Sequence, residues 1–281
     1  PYVSVNIITN DTLTEELIKK FSVVVQTNAT IDEQIQVNKW CRAHSIKYIS
    51  SGIFGLMASI FVDNGLEHTI VDADGSQAKR GLISTISNDA QIVVTCDERH
   101  GLRTGDAITF EAIEGMTSLN QLPPTKIKTL NPVSFIVQGV DGKTLPGFTG
   151  THGYFNQVKH PQQRNYLDLT QALETRPFTS DMMGDMIETH ALCLAISDYR
   201  TQNSNKYPSY DNVQNINSIV DKAIQYLTNF GRTEELSDKR RRQFFNLIRT
   251  ASASLSPMAA IVGGLVGQEI LKAVSGKFTP I

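Results

Sequence analysis

The chain has 281 residues, with 26 Lys and Arg against 28 Asp and Glu, so its formal net charge is −2. This balance argues against a polyanion-binding protein, and 40% hydrophobic residues argue against a disordered chain. The longest nearly apolar run, Met258–Gly267, is shorter than the roughly 20 residues of a bilayer span, and we expect neither a transmembrane helix nor a signal peptide. Three scattered cysteines predict a reducing compartment, cytoplasmic or nuclear.

Residues 1 to 73 alternate strand and helix patterns. The strand patterns lie at Val3–Thr9, Phe21–Val25 and Ile46–Ser50. Two capping-box sequences, Thr12–Glu15 and Thr30–Glu33, should open helices, the second running to about His44. We predict a partial doubly wound α/β unit with a parallel sheet covered on both faces. No Gly-rich turn follows the first strand, so this unit has no visible phosphate site.

From about Gly75 to Lys159 the pattern changes to short strands with turn signals between them. The strand patterns lie at Leu82–Ile86, Gln91–Thr95, Ala107–Phe110, Lys126–Leu130 and Ser134–Gln138. This spacing predicts a small β-barrel or sandwich, inserted into the α/β unit.

After Pro161 the periodicity becomes helical, which predicts a bundle. The helices should cover about Asp181–Arg200, Asn212–Phe230 and Glu234–Thr250, followed by Pro257–Val274. The last helix begins with a proline and ends before Ser275-Gly276, a common start and stop pattern. Because it is apolar nearly all round, we expect it to return to the core of the α/β unit.

Three motifs suggest chemistry, and each also has a purely structural interpretation. Cys96–His100 groups a thiol with an imidazole, which suits a nucleophile but also a polar hairpin tip. Gly263–Gly267 resembles a phosphate loop, but it lies inside a predicted helix, where glycines would allow close packing. Lys239–Arg242 is a basic run that we interpret as a solvated helix face. The histidines lack the spacing of metal ligands, so we predict no metal site.

Four stretches carry a family resemblance that covers the whole chain. They are Arg99–Asp106, Phe110–Met116, Gly263–Ala273 and Ser275–Pro280. Together they resemble the eukaryotic ubiquitin-activating enzyme, which adenylates the ubiquitin C-terminus with ATP and Mg and then forms a ubiquitin thioester. The resemblance implies an inactive adenylation-type unit at residues 1–74 and 256–281, a first catalytic-cysteine half-domain at 75–160, and a four-helix bundle at 161–255.

The resemblance also implies that this chain is non-catalytic and binds no cofactor itself. The nucleotide site, the acyl-accepting cysteine and the domain that recruits ubiquitin-conjugating enzymes would lie beyond Ile281. Its partners would be ubiquitin, the active half and the catalytic-cysteine domain of the same enzyme, and, through that enzyme, ubiquitin-conjugating enzymes. We expect the chain to bind neither nucleic acid nor a membrane. In the family, the loop matching residues 99–104 touches ubiquitin, so ubiquitin contacts are expected at Arg99, Gly101, Leu102 and Arg103.

One residue departs from the family pattern at this loop. Relatives carry an acidic residue where this chain has Arg103, which would meet the basic surface of ubiquitin with like charge. Two other function classes stay open: an activating enzyme or non-enzymatic adaptor for another ubiquitin-like modifier, and a cysteine hydrolase that uses Cys96 with His100.

Overall fold

The computed structural model describes residues 3–9, 13–150, 152–175, 186–232 and 234–281. The chain forms two compact units. One comprises Pro1–His68, Gln163–Gly276 and Pro280–Ile281, and the other comprises Thr69–Gln162 and Lys277–Thr279. The sheet and the long helices fall in the first unit, and their predicted separation into an α/β domain and a bundle stays a prediction.

The first unit contains a three-stranded sheet in the order β1-β2-β3. Its elements are α1 (Glu15–Ile18), β1 (Val23–Thr27), α2 (Ile31–Ala43), β2 (Lys47–Phe54) and β3 (Met57–Asp63). The capping box at Thr30 and Glu33 forms as predicted. The predicted cap Thr12 lies outside the described residues, and α1 instead uses Thr14 as its N-cap.

The strand pairing differs from the predicted parallel sheet. β1 and β2 are parallel, but β3 returns antiparallel to β2 through a tight turn at Gly55, whose φ of +63° favours glycine. The sequence pattern does not indicate this hairpin, because β2 and β3 form one long apolar run. Val3–Thr9 does not form a strand either, and its apolar side chains are exposed.

Helices cover both faces of the sheet, as expected for an α/β unit. On β2, Tyr48 packs against Val37 and Cys41 of α2. The next residue, Ile49, points to the opposite face and packs against Val262 and Val266 of α7 (Ser256–Ser275). This alternation follows from the two-residue period of a strand.

Helix α7 has the predicted ends but only one buried face. Pro257 lies in its first turn, and Gly276 ends it with a φ of +64°. Among the described residues nothing lies within 4 Å of a Cβ built at its three glycines, so they do not provide the predicted close packing here. Leu271 is 70% exposed. The helix is longer than the apolar run counted from the sequence, and by length and composition alone it could cross a membrane, although buried Glu269 packs within the protein.

The remaining helices of the first unit are α3 (Leu169–Glu174), α4 (Ile187–Gln202), α5 (Val213–Asn229) and α6 (Asp238–Arg249). The last three form one core with Phe54 and Met57 from the β2–β3 hairpin. The predicted helix start at Asp181 lies outside the described residues. Within the basic run, Arg240 pairs with buried Glu188 at 2.8 Å, so this run also contributes an ion pair between α6 and α4.

The second unit contains a closed β-barrel, which is one of the two all-β folds predicted from the sequence. Its strands, in the order around the barrel, are β10 (Gly153–Val158), β5 (Arg80–Ile86), β6 (Val93–Cys96), β9 (Ser134–Val137), β8 (Thr125–Asn131) and β7 (Ala107–Glu111). Two short strands, β4 (His68–Ile70) and β11 (Gln162–Arg164), lie at the sequence boundaries between the units. Strand β10 was not among the strands predicted from the sequence. Its Phe155 fills the barrel core beside Gly81, where a Cβ atom would lie 2.3 Å from the Phe155 ring.

The barrel core is apolar and contiguous. Phe135 and Phe155 lie edge to face, with ring centroids 5.7 Å apart, a favourable geometry for aromatic rings. Ile83, Ile108 and Ile127 contribute further side chains with no exposed surface. This closure leaves the connecting loops at the ends of the strands as the surface on which function can be built.

A buried carboxylate holds α2 against β3. Asp63, whose side chain is 1% exposed, accepts hydrogen bonds from Arg42 Nε at 2.7 Å and Asn38 Nδ2 at 2.7 Å. Asn38 Oδ1 in turn accepts from the backbone N–H of Leu169 at 2.9 Å. The charged bonds compensate for the cost of burying the carboxylate.

Replacing Asp63 with alanine should destabilise the sheet unit by about 3 kcal/mol, because Arg42 and Asn38 would lose their shared partner inside the protein. Chemical denaturation followed by far-UV circular dichroism measures this loss. The matched control is Asp221→Ala, which removes an exposed partner of Arg241 and should cost less than about 1 kcal/mol. Equal losses for the two variants would contradict the assigned role of Asp63.

Candidate functional site

The predicted contact residues lie in the loop between β6 and β7, residues 97–106, here called the β6–β7 loop. His100 is 6% exposed and holds this loop in place. The backbone N–H of Leu102 donates to His100 Nδ1 at 2.9 Å, so Nδ1 carries no proton. The proton is therefore on Nε2, which donates to the carbonyl oxygen of Asn131 at 2.8 Å. Both ring nitrogens are therefore hydrogen-bonded within the protein.

Two of the four predicted contact residues have structural roles in the loop. The side chain of Leu102 is 6% exposed and belongs to the barrel core, so it anchors the loop instead of being presented at its surface. Gly101 has a φ of +62°, a conformation that favours glycine. The carbonyl oxygen of Gly101 accepts a hydrogen bond from the Lys79 ammonium.

The other two predicted contact residues are on the surface. Arg99 and Arg103 are exposed, and within the described part of the chain neither guanidinium has an ion-pair partner. The backbone around Arg103 is fixed, because its N–H donates to Asp106 Oδ2 at 2.8 Å. Thr104 and Thr129 share a hydrogen bond of 2.8 Å that ties the same stretch to β8. The loop therefore presents two unpaired cations on an ordered backbone.

Sequence reasoning did not assign the residues that hold the loop. His100, Asp106 and Asn131 supply most of its hydrogen bonds, and His100 also contacts the ring of Phe135 at 5.4 Å between centroids. The partners Asn131 and Thr129 are more than 20 residues away along the chain. Only the pairing of β6, β8 and β9 brings them to the loop, so no local signal could have identified them.

The cysteine hydrolase hypothesis is wrong for Cys96 and His100. The Cys96 side chain is buried, and burial together with the charge of Asp97 raises its pKa to about 11. A nucleophilic thiol needs a lowered pKa. His100 cannot act as its base either, because Nδ1 and Nε2 already bind Leu102 and Asn131.

The described residues offer no cluster of three or more His, Cys, Asp or Glu side chains that could hold a metal ion. The phosphate-loop candidate Gly263–Gly267 lies in the middle of α7, where the backbone N–H groups are used within the helix. Gly263–Gly267 therefore offers no free backbone N–H groups that could bind a phosphate.

We expect all three cysteines to be unreactive in the folded chain. Burial raises the pKa of the thiols of Cys41 and Cys193 to about 12, so at pH 8 well under 1% of each thiol, including Cys96, would be thiolate. A thiol-reactive chromophore should label fewer than about 0.1 thiols per chain in buffer and all three in denaturant. Cys96→Ser is the control. Fast labelling in buffer that this substitution abolishes would show that Cys96 is reactive and would contradict the prediction.

Comparison with known proteins agrees with the resemblance seen in the sequence. Residues 87–159 match the family model of the ubiquitin-activating enzyme E1 FCCH domain, which covers the barrel from β6 to β10. The chain is 36% identical over 277 residues to the ubiquitin-like modifier-activating enzyme 1 of Dictyostelium discoideum, and 34% identical over 292 residues to ubiquitin-activating enzyme E1 2 of Triticum aestivum.

The similarity extends to an animal relative. The ubiquitin-like modifier-activating enzyme 1 of Oryctolagus cuniculus is 30% identical over 274 residues. These alignments cover 96% to 99% of the chain but only 26% to 27% of each relative. The chain is therefore similar, over nearly its whole length, to about a quarter of these ubiquitin-activating enzymes, and its residues 87–159 match the FCCH domain of that family.

Proposed function

We propose that the chain is a non-catalytic part of a ubiquitin-activating enzyme, and that it supports the active half and contributes to the ubiquitin-docking surface. Its similarity to these enzymes along nearly its whole length supports the first part. In this proposal the sheet is one section of a larger doubly wound unit, and the helices after Pro161 belong to its four-helix bundle. ATP and Mg would bind in the active half, and the enzyme would work in cytoplasm and nucleus.

The observation that carries the docking proposal is the ordered β6–β7 loop with its two unpaired arginines. A contact surface gains from a backbone fixed in advance, because less conformational entropy is lost on binding. His100 and Leu102 supply that order from the barrel side. Arg99 and Arg103 lie on this fixed surface, where Arg103 would meet the basic surface of ubiquitin with like charge.

The exposed apolar face of α7 supports the scaffolding role. Ile261, Leu271 and Val274 are each at least 60% exposed, although the opposite face of the same helix is packed on the sheet. An apolar face of this kind marks a contact surface. In the proposal it packs against the active half of the enzyme.

The charge of Arg103 gives a direct test of docking. If the loop faces a basic surface of ubiquitin, Arg103→Glu should tighten binding about fivefold, because it replaces a like charge with an opposite one. The measurement is a titration of ¹⁵N-labelled ubiquitin with the chain, following amide chemical shifts.

Lys143→Glu is the charge-matched control for this titration. Lys143 is exposed. The backbone N–H of the preceding residue, Gly142, donates to the carbonyl oxygen of Asp89, which lies just before β6. Lys143 is therefore near the start of β6, whereas the β6–β7 loop follows the end of that strand. Identical affinities for both variants and the parent chain would exclude Arg103 from the contact. Saturable shifts with another ubiquitin-like modifier, and none with ubiquitin, would instead favour the alternative partner.

The proposed absence of catalysis is also testable. The chain alone, with ubiquitin, ATP and Mg present, should show no exchange of pyrophosphate into ATP above the level without protein. Further purification of the chain is the control for a contaminating enzyme, because exchange that disappears on further purification is not the chain's own. Exchange that co-purifies with the chain would contradict the proposal.

A further inference from the structure

A cavity of about 450 Å³ lies inside the first unit, between the β2–β3 hairpin, α3 and α4. This volume is within the range of small-molecule binding sites. It is separate from the β6–β7 loop and from the exposed face of α7. Nothing in the proposed function uses it.

The cavity is elongated along α4. The helix lines it with Thr189, His190, Cys193, Leu194, Ser197 and Arg200. These residues recur at three- and four-residue spacing, so they share one face of the helix. Between the first and the last of them the helix rises about 17 Å, whereas a sphere of the same volume would be only about 10 Å across.

The opposite walls are largely apolar. Phe54, Ile60 and Phe61 come from the hairpin, and Leu173 comes from α3. Ser50 and Gly52 of β2 have small side chains and leave the space open. An aliphatic chain would therefore find apolar contacts along the length of the cavity.

One end of the cavity holds a buried cation without an anion. The Arg200 side chain is among the most buried of the described residues, at 2% exposure, and no carboxylate of those residues pairs with it. Its Nη2 donates to the two oxygens of Asn28 at 2.9 and 3.0 Å and to Asn205 Oδ1, all of them neutral, and the guanidinium lies 4.4 Å from the ring centroid of Tyr207. Its Nε has no hydrogen-bond partner. Burying such a charge is costly unless an anion compensates it.

The side chains of the rest of the lining carry no competing charge. Arg200 and His190 are the titratable side chains of Lys, Arg, His, Asp and Glu type in the described wall, which also includes Ile281. Burial lowers the pKa of His190, so its imidazole is neutral near pH 7. Its Nε2 also lacks a hydrogen-bond partner. Among the side chains of the described wall, the fixed charge is therefore the single positive charge of Arg200.

We propose that this cavity binds an aliphatic carboxylate, with the carboxylate at Arg200 and the hydrocarbon chain along α4 toward His190. The ligand would bring a negative charge beside the buried Arg200 guanidinium and cover the apolar walls. An aliphatic cation of the same length would place like charge beside the guanidinium and would be rejected. This inference does not depend on ubiquitin docking.

The test is a titration of the chain with decanoate, followed by the ¹³C-methyl signals of isoleucine and leucine. Saturable shifts are expected at Ile31, Ile60, Leu173 and Leu194, which line the cavity, with the barrel methyl groups unaffected. Decyltrimethylammonium should produce none of these shifts. Equal responses to the two amphiphiles, or shifts confined to the exposed α7 residues, would overturn the proposal, because they would indicate nonspecific binding.

Two pairs of variants locate the ligand. Ala172→Leu places a larger side chain on the cavity wall and should weaken decanoate binding at least tenfold, or about 1.4 kcal/mol, whereas Ala260→Leu on the exposed side of α7 should not change it. Arg200→Gln should remove the preference for decanoate over decanol. If Arg200→Gln does not fold, the Ala172 and Ala260 pair decides, and equal affinities for that pair would refute the assignment.

Discussion

The buried carboxylate of Asp63 is the contact on which the first unit depends. It lies at the end of β3, just before the chain enters the barrel, and it binds α2 through Arg42 and Asn38. Asn38 also holds Leu169, at the point where the chain has returned from the barrel and begins α3. The two ends of a long insertion are thus fixed to the same helix, which lets the sheet unit remain intact around the interruption. A substitution at Asn38 or Asp63 should therefore affect both the end of β3 and the start of α3.

The barrel separates stability from recognition. Its interior is filled by apolar side chains, and the β6–β7 loop is tied to that interior by His100 and Leu102. Arg99 and Arg103 are exposed and do not contribute to the barrel core, so we expect that they can be substituted without disrupting it. The surface charge of this loop can therefore change while its conformation is retained.

The cavity beside α4 shows a different balance of forces. There, Arg200 is buried among neutral oxygens and a tyrosine ring, and its Nε is left without an acceptor. Elsewhere in the same unit, buried charges are paired, as with Glu188, which lies 2.6 Å from Arg232 and 2.8 Å from Arg240. The contrast between these two sites is the physical basis for assigning a ligand to one of them.

Much of the architecture was determined by local sequence patterns. The capping box at Thr30 and the proline and glycine at the ends of α7 specify helix boundaries through backbone chemistry, and both form as predicted. The short strands of the barrel were likewise indicated by their turns. The resemblance to ubiquitin-activating enzymes was also carried by the sequence, because its motifs are local in the chain.

Tertiary structure decided what local patterns could not. β3 and β10 depend on pairing with β2 and with β5 and β7, and only the closed barrel brings Asn131 to His100. Burial, which depends on the whole fold, turned Leu102 inward and raised the pKa of Cys96, and this excluded a nucleophile that the sequence had left open. Sequence alone indicated many of the elements and the family resemblance because those signals are local, whereas strand pairing, side-chain exposure and side-chain partners arise only when distant segments pack together.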